Sequence, residues 1–185
     1  MGQSERDDLR RRIFALLAGG HATDRLGRER LINELGEDGL EVLRAVAAGR
    51  IEAPHPKLQL KAIAALGFDR TSPEASMPVL ADLAERGQPR TAVQAVRALG
   101  QLSRGSQQLR DLVRDQATPP AVALAAARIV AQLGGDDVVA ELEELRRRLL
   151  RLTEDERSPS ILSIERAIEI ARGEYVAEGG PEPIP

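Results

Sequence analysis

The chain has 185 residues, 42% of them hydrophobic and 30% charged, with a formal net charge of -3, which is enough apolar side chain for one continuous core. It has no cysteine, so disulfides and thiolate metal sites are excluded, and its acidic balance argues against nucleic acid, whose phosphates attract proteins with an excess of Lys and Arg. Aromatic residues are only Phe14, Phe68 and Tyr175, leaving almost nothing on which a base, sugar or flavin could stack, and no apolar stretch approaches the roughly 20 residues of a membrane span.

Ser4 is placed to cap a first helix from about Glu5 to Ala18, with Leu9, Ile13, Leu16 and Leu17 on one face, ended by Gly19-Gly20. A second helix, about Asp24 to Leu35, presents Leu26, Leu31, Ile32 and Leu35, and Gly36 is its expected left-handed C-cap. Leu40 to Ala48 then pairs with Lys57 to Leu66 across a loop containing Pro54, His55 and Pro56. Ser72-Pro73, Thr118-Pro119 and Ser158-Pro159 each read as a capping hydroxyl followed by Pro at the first helical position. These starts segment the rest into Pro73 to Arg86 with Arg90 to Leu102, Gln107 to Asp115 with Pro119 to Leu133, and Asp136 to Thr153 with Pro159 to Arg172. Pro78 either belongs to the first turn of a helix starting near Ala75 or kinks that helix. Glu143 with Arg147 and Glu144 with Arg148 stand at the favourable four-residue offset. Residues 174–185, with three prolines and two adjacent glycines, are expected to be a disordered tail.

A glycine ends an apolar run at Gly36, Gly67, Gly100, Gly134 and Gly173, at intervals of 31, 33, 34 and 39 residues, and Leu precedes the first four. Recurrence at this period indicates a stacked array of helical hairpins. The runs Leu58 to Gly67 and Thr91 to Gly100 resemble the second helix of HEAT-like repeats of the bilin lyase type, with small residues five and two positions before the glycine: Ala62 and Ala65, then Ala95 and Ala98. The resemblance covers roughly residues 22 to 173. It implies an all-α, armadillo-like α-solenoid of about five antiparallel hairpins, forming one domain over residues 1–173. The Arg found in such repeats eight positions before the glycine is replaced here by Gln59, Ala92 and Ala126, so its buried polar ladder is expected to be absent or eroded.

His21 and His55 are the only histidines and neither is followed by Glu, so the paired ligands of HEAT-like hydroxylases are missing. Glu37-Asp38 and Asp136-Asp137 sit where helices begin and read as caps, and Glu154 to Glu156 as a solvated turn. Arg10 to Arg12, and Arg146 to Arg148 with Arg151, are the strongest charge runs. Three consecutive helical residues splay over about 200°, so neither run makes one flat patch. No metal, cofactor or catalytic residue is assigned. In HEAT-like arrays the second helices line the concave side, and the positions there that leave the apolar stripe are Lys57, Gln59, Lys61, Arg90, Gln94, Arg97, Arg128 and Arg166. They form a basic or neutral strip suited to another protein, in particular an acidic helix or peptide. The expectation is a noncatalytic, cytoplasmic protein-binding scaffold that contacts neither nucleic acid nor membrane. The rivals are a HEAT-like enzyme of the lyase or DNA glycosylase type, and a homodimer formed through the leucine-rich helix after Asp136, which carries Leu142, Leu145, Leu149, Leu150 and Leu152.

Overall fold

A computed structural model describes residues 3–19, 22, 24–102, 107–153 and 155–174. Among them the chain is all-helical, with no strand: α1 (Gln3–Ala18), α2 (Arg25–Ala47), α3 (Pro56–Leu66), α4 (Pro73–Arg86), α5 (Pro89–Leu102), α6 (Gln107–Arg114), α7 (Pro120–Val130), α8 (Asp136–Thr153) and α9 (Pro159–Arg172). The 3-10 turn Ala131–Leu133 extends α7. None of the described helices is long and apolar enough to cross a membrane. The fold divides into two compact units, the first up to Leu109 and the second from Arg110 onward.

In the first unit α2 packs on α3, α4 on α5, and α3 lies against α5, while α1 rests on α2 and α3. The small residues at the α3 to α5 contact set the approach. Ala62, Ala65, Ala95 and Ala98 are all buried, and a side chain on Gly67 would come within 3.0 Å of the Ala98 backbone. In the second unit α9 packs on α8 and α7, and Leu142, Leu145 and Leu149 of α8 join Ile161, Ile164 and Ile168 of α9 in its core. Most of the leucines considered for a dimer contact are thus used internally, Leu150 is half-buried, and Leu152 is exposed.

The recurring glycines hold three different conformations. Gly36 (φ 61, ψ -177) and Gly134 (φ 67, ψ -179) share a region essentially closed to other residues. Gly36 therefore turns the chain inside α2 as a kink, not as the left-handed cap expected from its position. Gly67 is right-handed at the end of α3, Gly100 is buried inside α5, and only Gly173 is a left-handed cap. The N–H of Glu174 closes that end on the Glu169 carbonyl at 3.0 Å; residues 175–185 of the expected tail lie outside the described residues.

Several boundaries move for identifiable reasons. The first helix already includes Gln3, so Ser4 is not its cap. Leu26 is exposed, because helical spacing places it on the side opposite Leu35, nine positions on, while Leu31, Ile32 and Leu35 are buried. α4 runs without interruption through Pro78, which is exposed and has no N–H to offer the Glu74 carbonyl one turn earlier. Ser158 caps α9 through Ile161 N–H at 3.3 Å, but Ser72 and Thr118 do not cap. In both places an aspartate three residues earlier closes the turn: Asp69 Oδ1 accepts from the N–H groups of Thr71 and Ser72, and Asp115 accepts from Ala117 N–H and from the Thr118 hydroxyl. α7 consequently starts at Pro120, with Pro119 in the cap position. Asp155 accepts from Arg157 N–H in the same way, so Asp-x-x-(Ser/Thr)-Pro is a recurrent helix start that the proline signals only half revealed.

With Ser72 released from capping, its hydroxyl joins a buried network around Arg44. Arg44 Nε donates to Ser76 Oγ at 3.1 Å, Nη1 to Glu37 at 3.0 Å, and Nη2 to Asp69 at 3.2 Å and to Ser72 Oγ. Ser76 in turn donates to Asp69 at 2.6 Å and Ser72 to Glu37 at 3.0 Å. A buried Arg-Asp pairing thus exists, built from an α2 arginine and not from the position eight before a glycine. Burial alone would push the Asp69 carboxyl up, but Ser72 N–H, Ser76, Arg44 and Thr71 N–H together hold it below the usual aspartate value of 3.8. The hydrogen bond from Arg44, then that from Ser72, holds Glu37 below its usual 4.5.

The expected i to i+4 pairs on α8 do not form. Glu143 pairs with Arg172 of α9 at 2.5 Å, Glu144 with Arg147 at 2.8 Å and Arg151 at 3.7 Å, and Arg148 donates to the Asp115 carbonyl. Glu143 and Arg148 thus find partners on neighbouring segments, whereas Glu144 pairs within α8 at offsets of three and seven.

Replacing Gly36 or Gly134 by Ala is expected to cost about 1–3 kcal/mol each, read as a lower urea midpoint; unchanged midpoints would contradict the assigned conformations. Asp69→Ala, which leaves Arg44 buried without its buried counter-charge, is expected to cost about 3–5 kcal/mol. Because both carboxyls titrate lower in the folded chain, their contribution is complete above their ordinary values and is lost as the pH falls through the folded ones. Urea stability of the wild type should therefore drop below about pH 4, and Asp69→Asn, weaker at neutral pH, should show a flatter acid limb.

Candidate partner-binding site

The eight side chains named as a binding strip divide into those already used and those left over. Lys61 Nζ donates to the Leu17 carbonyl at 2.7 Å and to that of Gly19 at 3.5 Å, closing the end of α1. Gln59 Nε2 donates to the Ala47 carbonyl at 3.0 Å, closing the end of α2. In the second unit Arg128 donates to Ser163 Oγ at 2.9 and 3.1 Å, and Arg166 is exposed on α9. Lys57, Arg90 and Arg97 are exposed and Gln94 is half-buried; no described residue takes a hydrogen bond from their side chains.

Gln94 and Arg97 meet in a cleft of about 290 Å³ in the first unit, with Arg28 of α2, Gln101 of α5, and Ala64, Phe68 and Ala98 as its floor. Residues 94, 97, 98 and 101 have the i, i+3, i+4, i+7 spacing of a single helix face. Arg90 extends that stripe by one turn. On α3 and the turn after it, positions 57, 61, 64 and 68 follow the same spacing, and adding 33 to each gives 90, 94, 97 and 101. The two stripes therefore stand at matching positions 33 residues apart, with Lys57 matched to Arg90, Lys61 to Gln94, Ala64 to Arg97 and Phe68 to Gln101.

The cleft holds two guanidinium groups and two primary amides above a small apolar floor, and no carboxylate lines it. Arg28 is held in place by donating from Nε to the Ala22 carbonyl at 3.1 Å. Arg70 secures the far end of α5 through the carbonyls of Gln101 and Leu102 at 3.0 and 3.3 Å. Arg28 and Gln101 were absent from the strip. Arg28 lies in the first turn of α2, in the helix expected over Asp24 to Leu35, from which no strip position was drawn, and Gln101 follows Gly100, which does not end α5. Their signals were the 33-residue register for Gln101 and none for Arg28.

The remaining candidates have local roles. His55, through Nδ1, accepts the Lys57 N–H at 3.0 Å and caps α3; His21 and Glu154 lie outside the described residues. Asp136 and Asp137 occupy the first turn of α8. Arg10 reaches the Glu52 carbonyl at 3.2 Å and covers the Phe14 ring at 5.5 Å, whereas Arg11 pairs with Asp8. Arg146 binds Glu165 at 2.7 Å, so each arginine run points to separate partners. Among the described residues no three metal-ligating side chains gather.

No protein-family model matches the chain, and no curated protein or solved structure matches it either. The functional reading rests on the chemistry of the cleft.

The division between used and unused side chains is measurable. Lys61→Met is expected to lower stability by about 1 kcal/mol because it frees the helix-end carbonyls of α1, while Arg97→Met should stay within about 0.5 kcal/mol of wild type. Equal effects in chemical denaturation would erase the distinction.

Proposed function

We propose that the chain is a noncatalytic protein-binding scaffold built from HEAT-like helical hairpins, and that the α3 to α5 face of its first unit binds an acidic helix or peptide. The observation that carries this reading is the cleft in which Arg28, Gln94, Arg97 and Gln101 surround Ala64, Phe68 and Ala98 without a carboxylate among them. In a protein of net charge -3, a locally cationic concavity attracts anionic partners while the rest of the surface repels them. Arginine and amide side chains supply donors that match carboxylate oxygens, and the small floor admits a side chain stem.

The repeat reading is supported by the 33-residue equivalence of the α3 and α5 stripes and by the pairing of α2 with α3 and α4 with α5. Binding without chemistry is favoured because the cleft offers hydrogen-bond donors and no group suited to exchanging protons near neutral pH.

Fluorescence anisotropy with a labelled helical peptide rich in Glu tests the proposal. The wild type should bind it, with affinity falling as salt is raised, and Gln94→Glu combined with Arg97→Glu should weaken binding by about tenfold or more. Equal affinity for wild type and double variant, with both fully folded, would exclude the cleft as the binding surface.

A further inference from the structure

The charges of the first unit are sorted between its helices. α3 and α5 carry Lys57, Lys61, Arg90 and Arg97 and contain no aspartate or glutamate, whereas α4 between them carries Glu74, Asp82 and Glu85. Lys61 is spent on the carbonyls that end α1. The side chains of Lys57, Arg90 and Arg97 are exposed and have no partner among the described residues.

Arg90 and Arg97 stand seven positions apart on α5. Seven helical residues rise by about 10.5 Å and return to within about 20° of the same face. Two solvent-exposed guanidinium groups therefore mark the ends of one two-turn stripe. The half-buried Gln94 lies between them and offers hydrogen bonds without charge.

A helix laid along this stripe repeats its own face with the same period, so carboxylates seven residues apart on it come opposite both arginines. An extended segment returns to one face at about 6.7 and 13.4 Å, and either interval leaves one carboxylate about 3–4 Å out of line. A helix with its glutamates on different faces presents only one of them at a time.

We propose that the partner of this face is an α-helix lying along α5 and selected by two carboxylates seven residues apart, one meeting Arg97 at the cleft and the other meeting Arg90 beyond it. This rests on the reading that the cleft binds an acidic partner. It adds Arg90 as a second anchor and a helical register as the condition for recognition.

The test uses the full chain at low salt and three labelled alanine-rich peptides of about 20 residues, long enough to form a helix in water. The first has two glutamates seven residues apart. The second has the same composition with the glutamates five apart, which points them about 140° from each other. The third keeps the seven-residue spacing around a central proline. In fluorescence anisotropy the first should bind about two- to fivefold more tightly than either of the others. Arg90→Glu should weaken the first peptide by about fivefold or more. Replacing one of its glutamates by lysine should restore binding to Arg90→Glu, and replacing the other should restore it to Arg97→Glu. Arg11→Glu makes the same change of charge on α1 and should bind as the wild type does. Circular dichroism checks that each variant is folded. Equal binding of the three peptides, no binding of the first, wild-type affinity in Arg90→Glu, or rescue of both variants by the same lysine peptide overturns the proposal. If the peptide rich in Glu still binds and still depends on Gln94 and Arg97, the cleft reading survives that result; if it does not bind at all, both fall.

Discussion

The first unit depends on keeping a guanidinium out of water without leaving its charge unpaired. Desolvating Arg44 and Asp69 costs several kcal/mol per ion, and the arrangement holds because each nitrogen of the Arg44 fork has an acceptor: Ser76 at Nε, Glu37 at Nη1, Asp69 and Ser72 at Nη2. The two serines act as relays, receiving from the cation and donating to a carboxylate. These groups belong to the far half of α2, the turn after α3 and the first turns of α4. One buried cation therefore fixes how three segments meet, which apolar side chains of similar size would do far less selectively. Asp69 has a second duty in closing the turn through two backbone N–H groups, so the start of α4 and the burial of Arg44 are parts of one interaction.

With α4 set in this way, α5 is carried against α3 at a distance that only small residues allow. Gly67 faces the Ala98 backbone, and the alanines on either side are buried. A close approach of two helices leaves a shallow trough between them, and the side chains on its rim are those that helical spacing turns away from the core. The cleft around Arg97 and Gln94 thus follows from the packing beneath it. The scarcity of aromatic residues works in the same direction: apart from Phe68, the floor is alanine, which keeps the trough shallow.

Much of the fold was legible from the sequence because its signals were local. α8 and α9 begin and end where the aspartate pair, Ser158-Pro159 and Gly173 place them, and α5 extends to Leu102 past Gly100 because nothing in its periodicity breaks there. What failed were signals whose meaning depends on distant partners. Ser72 and Thr118 look like caps, but Asp69 and Asp115 compete for the same role with a carboxylate that reaches two N–H groups or a hydroxyl. The aspartates were visible at a constant three-residue offset, but the offset alone does not decide the cap, since Ser158 caps α9 three residues after Asp155; of the two starts only that of α7 moves, to Pro120, while α4 begins at Pro73 as expected. Arg44 had no such signal. Its neighbours on α2 include other charged residues, and only the arrival of Asp69 and Ser76 from the next helix start distinguishes it. The strip of basic residues was half legible for a similar reason. The 33-residue register identifies equivalent positions, but it does not show that Lys61 and Gln59 are spent on the carbonyl ends of α1 and α2.

The arginines of this chain therefore differ in use more than in position. A carbonyl at a helix end, a buried carboxylate and an exposed glutamate all compete for guanidinium groups, and each pairing removes one from the set that can meet a ligand. Arg70, Arg110, Arg146 and Arg172 are engaged in tying one segment to another. Counting charges overstates the positive surface, whereas subtracting the committed groups leaves a much smaller set on the first unit, in which Lys57, Arg90 and Arg97 are exposed and meet no acceptor among the described residues. An exposed cation of this kind exchanges water for an anion at modest cost and is screened by salt, whereas a guanidinium spent on a helix-end carbonyl or a buried carboxylate cannot leave without stripping that acceptor of its donor. Which cations the fold has already used therefore decides which remain open to solvent.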